Sequence, residues 1–124
     1  MMRTPIVLVA AAAALVGPAS PAAAAEKSQI TLTYMAKAGY ATAVRLTCDP
    51  VGGAHPRAAE ACAELARTGA DPDKREADPT MCMMLYQPVT AQLAGSWRGR
   101  TVAWERTYGN TCEMNRATGV LFTF

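Results

Sequence analysis

The chain has 124 residues, 51% of them hydrophobic, with 12 basic and 10 acidic side chains and a formal net charge of +2. Its basic residues form no patch along the sequence, so we expect no nucleic-acid partner. A single histidine and the absence of a C-x-x-C pair argue against a zinc site, and we expect no metal or other cofactor. The length is that of one domain, small enough for cross-links to matter to its stability.

The first 25 residues have the three parts of a secretory signal peptide. Arg3 supplies the positive start, an uncharged apolar run covers residues 5–17, and an alanine-rich stretch ending at Ala25 supplies the cleavage site. The apolar run is too short to span a membrane. We therefore expect a secreted, extracellular protein consisting of residues 26–124, with no membrane association.

The first half of the mature chain predicts a hairpin followed by a helix. Residues 30–34 and 40–47 alternate apolar and polar side chains, which predicts two antiparallel strands. Residues 57–67 are rich in alanine, glutamate and leucine, and this helical pattern ends at Gly69. His55 lies just before the helix, where we expect it to act as a loop residue capping the helix start.

The second half predicts further strands. Residues 70–80 are polar, of mixed charge, and poorly matched to a calcium loop, so we expect a solvated connector. The following pattern predicts, in order, a strand at 89–93, a turn at 94–96, a long strand at 97–108, a short helical turn at 113–117 and a terminal strand at 120–124. About five strands and one or two helices indicate an α+β fold with an antiparallel sheet under helical cover.

One apolar stretch allows two interpretations: Met81-Cys82-Met83-Met84-Leu85-Tyr86-Gln87-Pro88. Residues before proline are pushed to extended geometry, so Pro79 and Pro88 disfavour a helix at both ends. Runs of methionine and leucine usually pack in a core, and composition alone therefore favours a buried strand. The alternative is an exposed, extended segment that a disulfide through Cys82 holds rigid for a partner.

The four cysteines indicate a disulfide framework, because their number is even and the chain is small and secreted. They are Cys48, Cys62, Cys82 and Cys112. Three pairings are possible, and the sequence alone does not choose among them. Sequential pairing closes the two shortest loops available as a set.

Catalytic groups are sparse, so we expect no enzyme. Ser28 and Ser96 are the serines of the mature chain, and neither lies in a Gly-x-Ser-x-Gly elbow. His55 lies in a loop, and the cysteines are expected to form disulfides. A nucleophile, a base and an orienting group are therefore not all present.

Several motifs together resemble the Streptomyces subtilisin inhibitor family. They are Ala54-His55-Pro56, Met81-Cys82-Met83-Met84-Leu85-Tyr86-Gln87-Pro88-Val89 and Asn110-Thr111-Cys112-Glu113-Met114-Asn115. The segments at 97–102 and 122–124 are also similar to that family, so the resemblance covers essentially the whole mature chain.

The resemblance implies a five-stranded antiparallel sheet covered by two helices, and a homodimer formed through the sheets. It also implies the disulfides Cys48–Cys62 and Cys82–Cys112. Members of the family are secreted, tight-binding inhibitors of subtilisin-like serine proteases, and some chymotrypsin-like enzymes have suitable pockets as well.

For the site, the resemblance implies a protease-binding loop made of Met81, Cys82, Met83, Met84, Leu85, Tyr86 and Gln87. The reactive bond would be Met84–Leu85, and Asn110 would support the loop through hydrogen bonds to its backbone. Met83 stands where many relatives have proline, which removes one restraint on φ. The alternative function is a secreted binding or structural module that is a substrate or regulator of another extracellular enzyme.

Overall fold

The structure, a computed structural model, describes residues 28–124 together with the isolated Met2 and Ala12. The expected signal peptide and its cleavage site lie outside the described residues. Within them the elements are β1 (Ser28–Ala36), β2 (Ala41–Cys48), β3 (Gly52–Gly53), α1 (Ala58–Thr68), a short 3-10 helix (Pro72–Lys74), β4 (Val89–Trp97), β5 (Arg100–Tyr108) and α2 (Thr111–Thr118). The predicted α+β class, with five antiparallel strands and two helices, is confirmed.

The strands form one sheet in the order β3-β2-β1-β4-β5. Alternate residues of the central strands point to one face and are fully buried, as the period of two in their sequence requires. Leu32 of β1 pairs with Leu93 of β4, and both have no exposed surface. Helix α1 and the C-terminal segment contribute Leu65, Leu121 and Phe122 to the same core.

Two disulfides attach the helices to the rest of the chain. Cys48 at the end of β2 is bonded to Cys62 of α1, with 5.7 Å between their Cα atoms. Cys82 is bonded to Cys112 in the first turn of α2, again with Cα atoms 5.7 Å apart. The sequential pairing that the resemblance implied is therefore present.

The predicted turn at 94–96 is wrong, because β4 continues through it to Trp97. The chain reverses instead at Arg98-Gly99, where φ is +48° and +80°. Positive φ at both central residues is the geometry of the two-residue hairpin turn that matches strand twist. Gly95 has a different reason to be glycine: a Cβ there would lie 2.0 Å from the carbonyl oxygen of Gln29 on the neighbouring strand.

The predicted terminal strand is also wrong. Residues 119–122 form turns and 123–124 no regular structure, and the fifth strand is the two-residue β3, which pairs with Leu46 and Thr47. The alternating aromatic residues are nevertheless inward-facing: Phe122 stacks on Trp104 with ring centroids 6.0 Å apart, and Phe124 lies 5.3 Å from Tyr34. Val120, Leu121 and Phe122 are consecutive and all buried, so burial in this segment does not alternate as it would in a half-buried strand.

His55 is a buried loop residue whose ring joins two parts of the fold. Its Nδ1 accepts a hydrogen bond from the backbone N–H of Arg57, directly before α1, at 2.9 Å. The ring proton is therefore on Nε2, which lies 3.1 Å from the carbonyl oxygen of Val120 and 3.0 Å from that of Leu121. The ring thus fixes Arg57, the residue before α1, and also the C-terminal segment; the expected side-chain cap of the first turn is not formed.

Replacing Gly95 with alanine tests the close approach of β1 and β4. We expect Gly95→Ala to lower the free energy of unfolding by about 3 kcal/mol or more, because the added methyl group overlaps backbone atoms and φ is positive. Gly99→Ala is the matched control: its φ is positive but nothing lies within 4 Å of a Cβ. Gly99→Ala should lower the free energy of unfolding by only about 1–2 kcal/mol. Urea unfolding measures both, and equal losses would contradict the steric argument.

Candidate functional site

The stretch 81–87 forms an exposed loop between the polar segment and β4, and it contains no helix or strand. Its large apolar side chains are exposed to solvent, from 56% for Leu85 to 104% for Met84; the others are Met81, Met83 and Tyr86. The buried-strand interpretation is therefore wrong. Exposed apolar side chains concentrated on one segment of a small protein indicate a binding surface.

Both ends of this loop are attached to regular structure. Near the start, the Cys82–Cys112 disulfide bonds the loop to α2. At the other end, the N–H of Gln87 donates to the carbonyl oxygen of Gly109 at 2.8 Å, and the carbonyl oxygen of Pro88 accepts from the N–H of Lys37 at 3.0 Å. The next residue begins β4, which lies beside the central strand. The loop is thus exposed but its ends are fixed.

Asn110 connects the middle of the loop to α2. Its Nδ2 donates to the carbonyl oxygen of Leu85 at 2.7 Å and lies 3.4 Å from that of Met83. Its Oδ1 accepts the backbone N–H of Glu113 at 2.8 Å, which makes Asn110 the N-cap of α2. Because the side chain is only 8% exposed and both its ends are bonded, its orientation is fixed.

The backbone turns at Met84. The N–H of Leu85 donates to the carbonyl oxygen of Met83 at 2.9 Å, which closes a three-residue turn with Met84 at its centre. The fully extended segment expected from the flanking prolines is therefore interrupted at this residue. The Met84–Leu85 peptide lies between the two carbonyl groups that Asn110 contacts, and the Met84 side chain lies in solvent.

Sequence reasoning missed Arg75, which lies in the segment expected to be a solvated connector. Its side chain is only 14% exposed. The guanidinium donates from Nε to Glu64 at 3.1 Å and from Nη2 to Asp78 at 2.9 Å. Burial by itself would lower the pKa of Arg75, but the hydrogen bonds and charges of Asp78 and Glu64 outweigh it and raise that pKa. Nothing in the sequence distinguished this arginine from the charged residues beside it.

In the part of the chain that the structure describes, side chains that could form a metal site or a histidine-based catalytic site are not brought together. Within residues 28–124, no set of three histidine, cysteine, aspartate or glutamate side chains is placed to hold a metal ion. His55 has backbone partners at both ring nitrogens rather than a serine or a carboxylate. Among the same residues, no helix is long and apolar enough to cross a membrane.

The chain belongs to the subtilisin inhibitor-like family, whose model, described as "Subtilisin inhibitor-like", matches residues 24–110. It is 42% identical to "Subtilisin inhibitor-like protein 4" of Streptomyces lavendulae over 113 residues, which are 86% of this chain and 97% of that protein. It is 41% identical to the "Subtilase-type protease inhibitor" of Streptomyces coelicolor over 122 residues, covering 92% of this chain and 85% of the relative.

A solved structure is also similar. The inhibitor chain in the crystal structure of Streptomyces caespitosus sermetstatin in complex with Bacillus licheniformis subtilisin matches with a TM-score of 0.67 and 29% identity. The match covers 78% of this chain and 98% of that one. The resemblance seen in the sequence motifs is thereby confirmed at the level of the family.

Two substitutions at Asn110 separate its two hydrogen-bonding roles. Asn110→Asp keeps an oxygen to cap α2 but loses the donor to the loop, whereas Asn110→Ala loses both and should also cost about 1 kcal/mol of stability. We expect faster hydrogen exchange at the amides of Leu85 and Gln87 in both variants, because the loop loses its central attachment. NMR on the purified variants measures the hydrogen-exchange rates of these two amides. Unchanged rates in Asn110→Asp would show that Asn110 only caps the helix.

Proposed function

We propose that the protein is a secreted, tight-binding inhibitor of subtilisin-type serine proteases, which it binds in the way a substrate binds. The binding segment is the exposed loop of residues 81–87. The observation that carries the proposal is the side chain of Asn110, which holds the carbonyl groups on both sides of Met84–Leu85. Membership of the family, and a structural neighbour that is itself in complex with subtilisin, support the choice of partner.

Pre-ordering is the physical source of the affinity. A protease binds its substrate as an added strand whose side chains enter successive pockets. A flexible peptide loses conformational entropy on binding, and a segment that is already ordered avoids most of that cost. Here the disulfide, Asn110 and the Gln87–Gly109 hydrogen bond provide this order before any partner is present.

The same attachments explain how a cleavable loop can inhibit. We assign Met84–Leu85 as the reactive bond. If it is cut, the new carboxyl end stays attached through Cys82, and the new amine stays attached through Gln87 and β4. The amine then remains beside the acyl-enzyme at a high effective concentration, so resynthesis of the bond competes with its hydrolysis.

Met84 sets which enzymes are bound in this proposal. Its unbranched thioether side chain is apolar and flexible, and it can fill the roomy apolar pocket of a subtilisin-like or chymotrypsin-like protease. A trypsin-like pocket contains a buried aspartate, which Met84 would leave without a cation. The proposed order of inhibition is therefore subtilisin, then chymotrypsin, with little or no inhibition of trypsin.

Titration of subtilisin with the purified protein of residues 26–124 tests the function. We expect residual activity to fall linearly to near zero at one equivalent of protein per enzyme, because the ordered loop binds tightly and is released slowly. Slow and complete digestion of the protein, without stoichiometric inhibition, would contradict the proposal. That result would favour a secreted module that is a substrate or regulator of another enzyme.

Met84→Lys tests the assignment of the reactive bond. The ammonium group would reach the aspartate of the trypsin pocket, so we expect trypsin inhibition to rise about a hundredfold or more. Met83→Lys and Leu85→Lys are the controls, because neither side chain would point into that pocket. Inhibition constants for trypsin, chymotrypsin and subtilisin with each variant show which side chain enters the specificity pocket. A gain for a control and none for Met84→Lys would move the reactive bond.

We also propose that the mature protein begins at Glu26 and forms a homodimer through its sheet. The face opposite the helices is exposed and carries small side chains in one cross-strand row, formed by Thr31, Ala94 and Ala103. Native mass spectrometry of the secreted protein tests both points. We expect twice the mass of residues 26–124. A single-chain mass would refute the dimer, and a mass that includes the apolar run at 5–17 would refute the processing.

A further inference from the structure

We propose that Arg75 is a positioning residue for the reactive loop, through which the molecule limits cleavage of its own Met84–Leu85 bond. The inference rests on the proposed function and goes beyond it, because Arg75 lies outside the loop and touches none of its residues 81–87 in the contacts described. Its action would be indirect, through the segment that leads into the loop and through α2.

Arg75 lies at the carboxyl end of α2. Its Nη1 is 3.3 Å from the carbonyl oxygens of Arg116 and Ala117, which belong to the last turn of that helix. Such carbonyl groups have no partner within the helix, and a cation beside them is favourable. Gly119 leaves space for the guanidinium, since a Cβ there would lie 2.7 Å from Nη2.

The same guanidinium also fixes the start of the segment that enters the loop. It binds the carboxylate of Asp78 at 2.9 Å. Asp78 is held twice more by its backbone: its N–H donates to the carbonyl oxygen of Arg116 at 2.8 Å, and its carbonyl oxygen accepts from Nε of Arg116 at 3.0 Å. We call this set of contacts among Arg75, Asp78 and Arg116 the Arg75 anchor.

The Arg75 anchor and the loop supports lie at opposite ends of one short helix. At its amino end, α2 carries Asn110 and Cys112, which hold the loop itself. At its carboxyl end it is attached to Asp78, four residues before Cys82 in the chain. The segment 78–82 is therefore fixed to the same helix at both ends. Without the Arg75 side chain, Asp78 keeps its two bonds to Arg116 but its carboxylate loses its partner, and α2 loses its link to Glu64 of α1. One end of the segment is then held less firmly, and so is the helix that orients Asn110.

Arg75 also joins α1 to this assembly. Glu64, on α1, binds Nε of Arg75 and is also paired with Arg67. Arg67 is 68% exposed, and its ion pair with Glu64 involves no residue of α2 or of the segment 75–87. The two arginines thus share one carboxylate but differ in whether they reach the loop, which makes Arg67 a matched control.

The experiment compares Arg75→Met with Arg67→Met in the mature protein. The fold should survive Arg75→Met, because Glu64 keeps Arg67 as a partner and Asp78 is partly exposed to water. In complexes with excess subtilisin, we expect Met84–Leu85 to be hydrolysed about tenfold faster in Arg75→Met and at the wild-type rate in Arg67→Met. Arg75→Lys, which keeps one charge but not the fork of donors, should fall between them.

A second variant with a similar loss of stability distinguishes positioning of the loop from a purely structural effect of Arg75→Met. Ile30→Val removes a methyl group from a fully buried side chain of β1, which pairs with β2 and β4, and it lowers Tm without changing a residue of α2 or of the Arg75 anchor. Faster cleavage in Arg75→Met but not in Ile30→Val supports positioning. Equal cleavage rates in the two variants, or a rate in Arg75→Met equal to that of the wild type, overturns the proposal.

A measurement without protease keeps this inference distinct from the proposed function. Hydrogen exchange at the amide of Leu85 in the free protein should be faster in Arg75→Met and unchanged in Arg67→Met. If the wild-type protein did not inhibit subtilisin, the proposed function would be refuted, but the exchange result would still show whether Arg75 orders the loop. Unchanged exchange in Arg75→Met, with wild-type inhibition intact, would remove the Arg75 anchor alone.

Discussion

The shape of the exposed loop depends on the side-chain amide of Asn110, which has one partner in α2 and others in the loop. Its oxygen caps the helix at Glu113, and its nitrogen binds the carbonyl oxygen of Leu85. A carboxylate in its place would lose the donor, and a hydroxyl has one oxygen and one O–H in place of the amide's separate acceptor oxygen and two N–H donors. A buried amide whose donors and acceptor are all bonded has a fixed orientation. It therefore holds the backbone of the loop in place while the apolar side chains of the loop remain in solvent.

The rest of the fold supplies a base for this one contact. The central strands bury a small apolar core, and the Cys48–Cys62 disulfide fixes α1 against β2. The second disulfide and the Arg75 anchor hold α2 at its two ends, so that a helix of eight residues has a defined position. A helix this short would not be stable alone, and its position comes from these attachments rather than from its own propensity.

Much of this could be predicted from the sequence, and the errors have physical causes. The first hairpin and α1 followed from periodicity, while the exposed loop at 81–87, the disulfide pairing and the role of Asn110 came only from the family resemblance; composition alone favoured a buried strand there. Gly95 was misplaced in a turn because a close approach between strands also requires glycine, and sequence does not separate the two. Arg75 was missed because its partners Glu64 and Arg116 are distant in the chain and meet it only in the fold.

The hydrolysis equilibrium of Met84–Leu85, the proposed reactive bond, measures whether the loop keeps its shape after that bond is opened. Intact protein and protein cleaved at Met84–Leu85 are incubated separately with a catalytic amount of subtilisin, and the two forms are quantified by chromatography over time. We expect both samples to converge on the same mixture, with intact and cleaved forms in comparable amounts, because the attached ends stay in place. Progress of both samples to the fully cleaved form, followed by digestion, would contradict it.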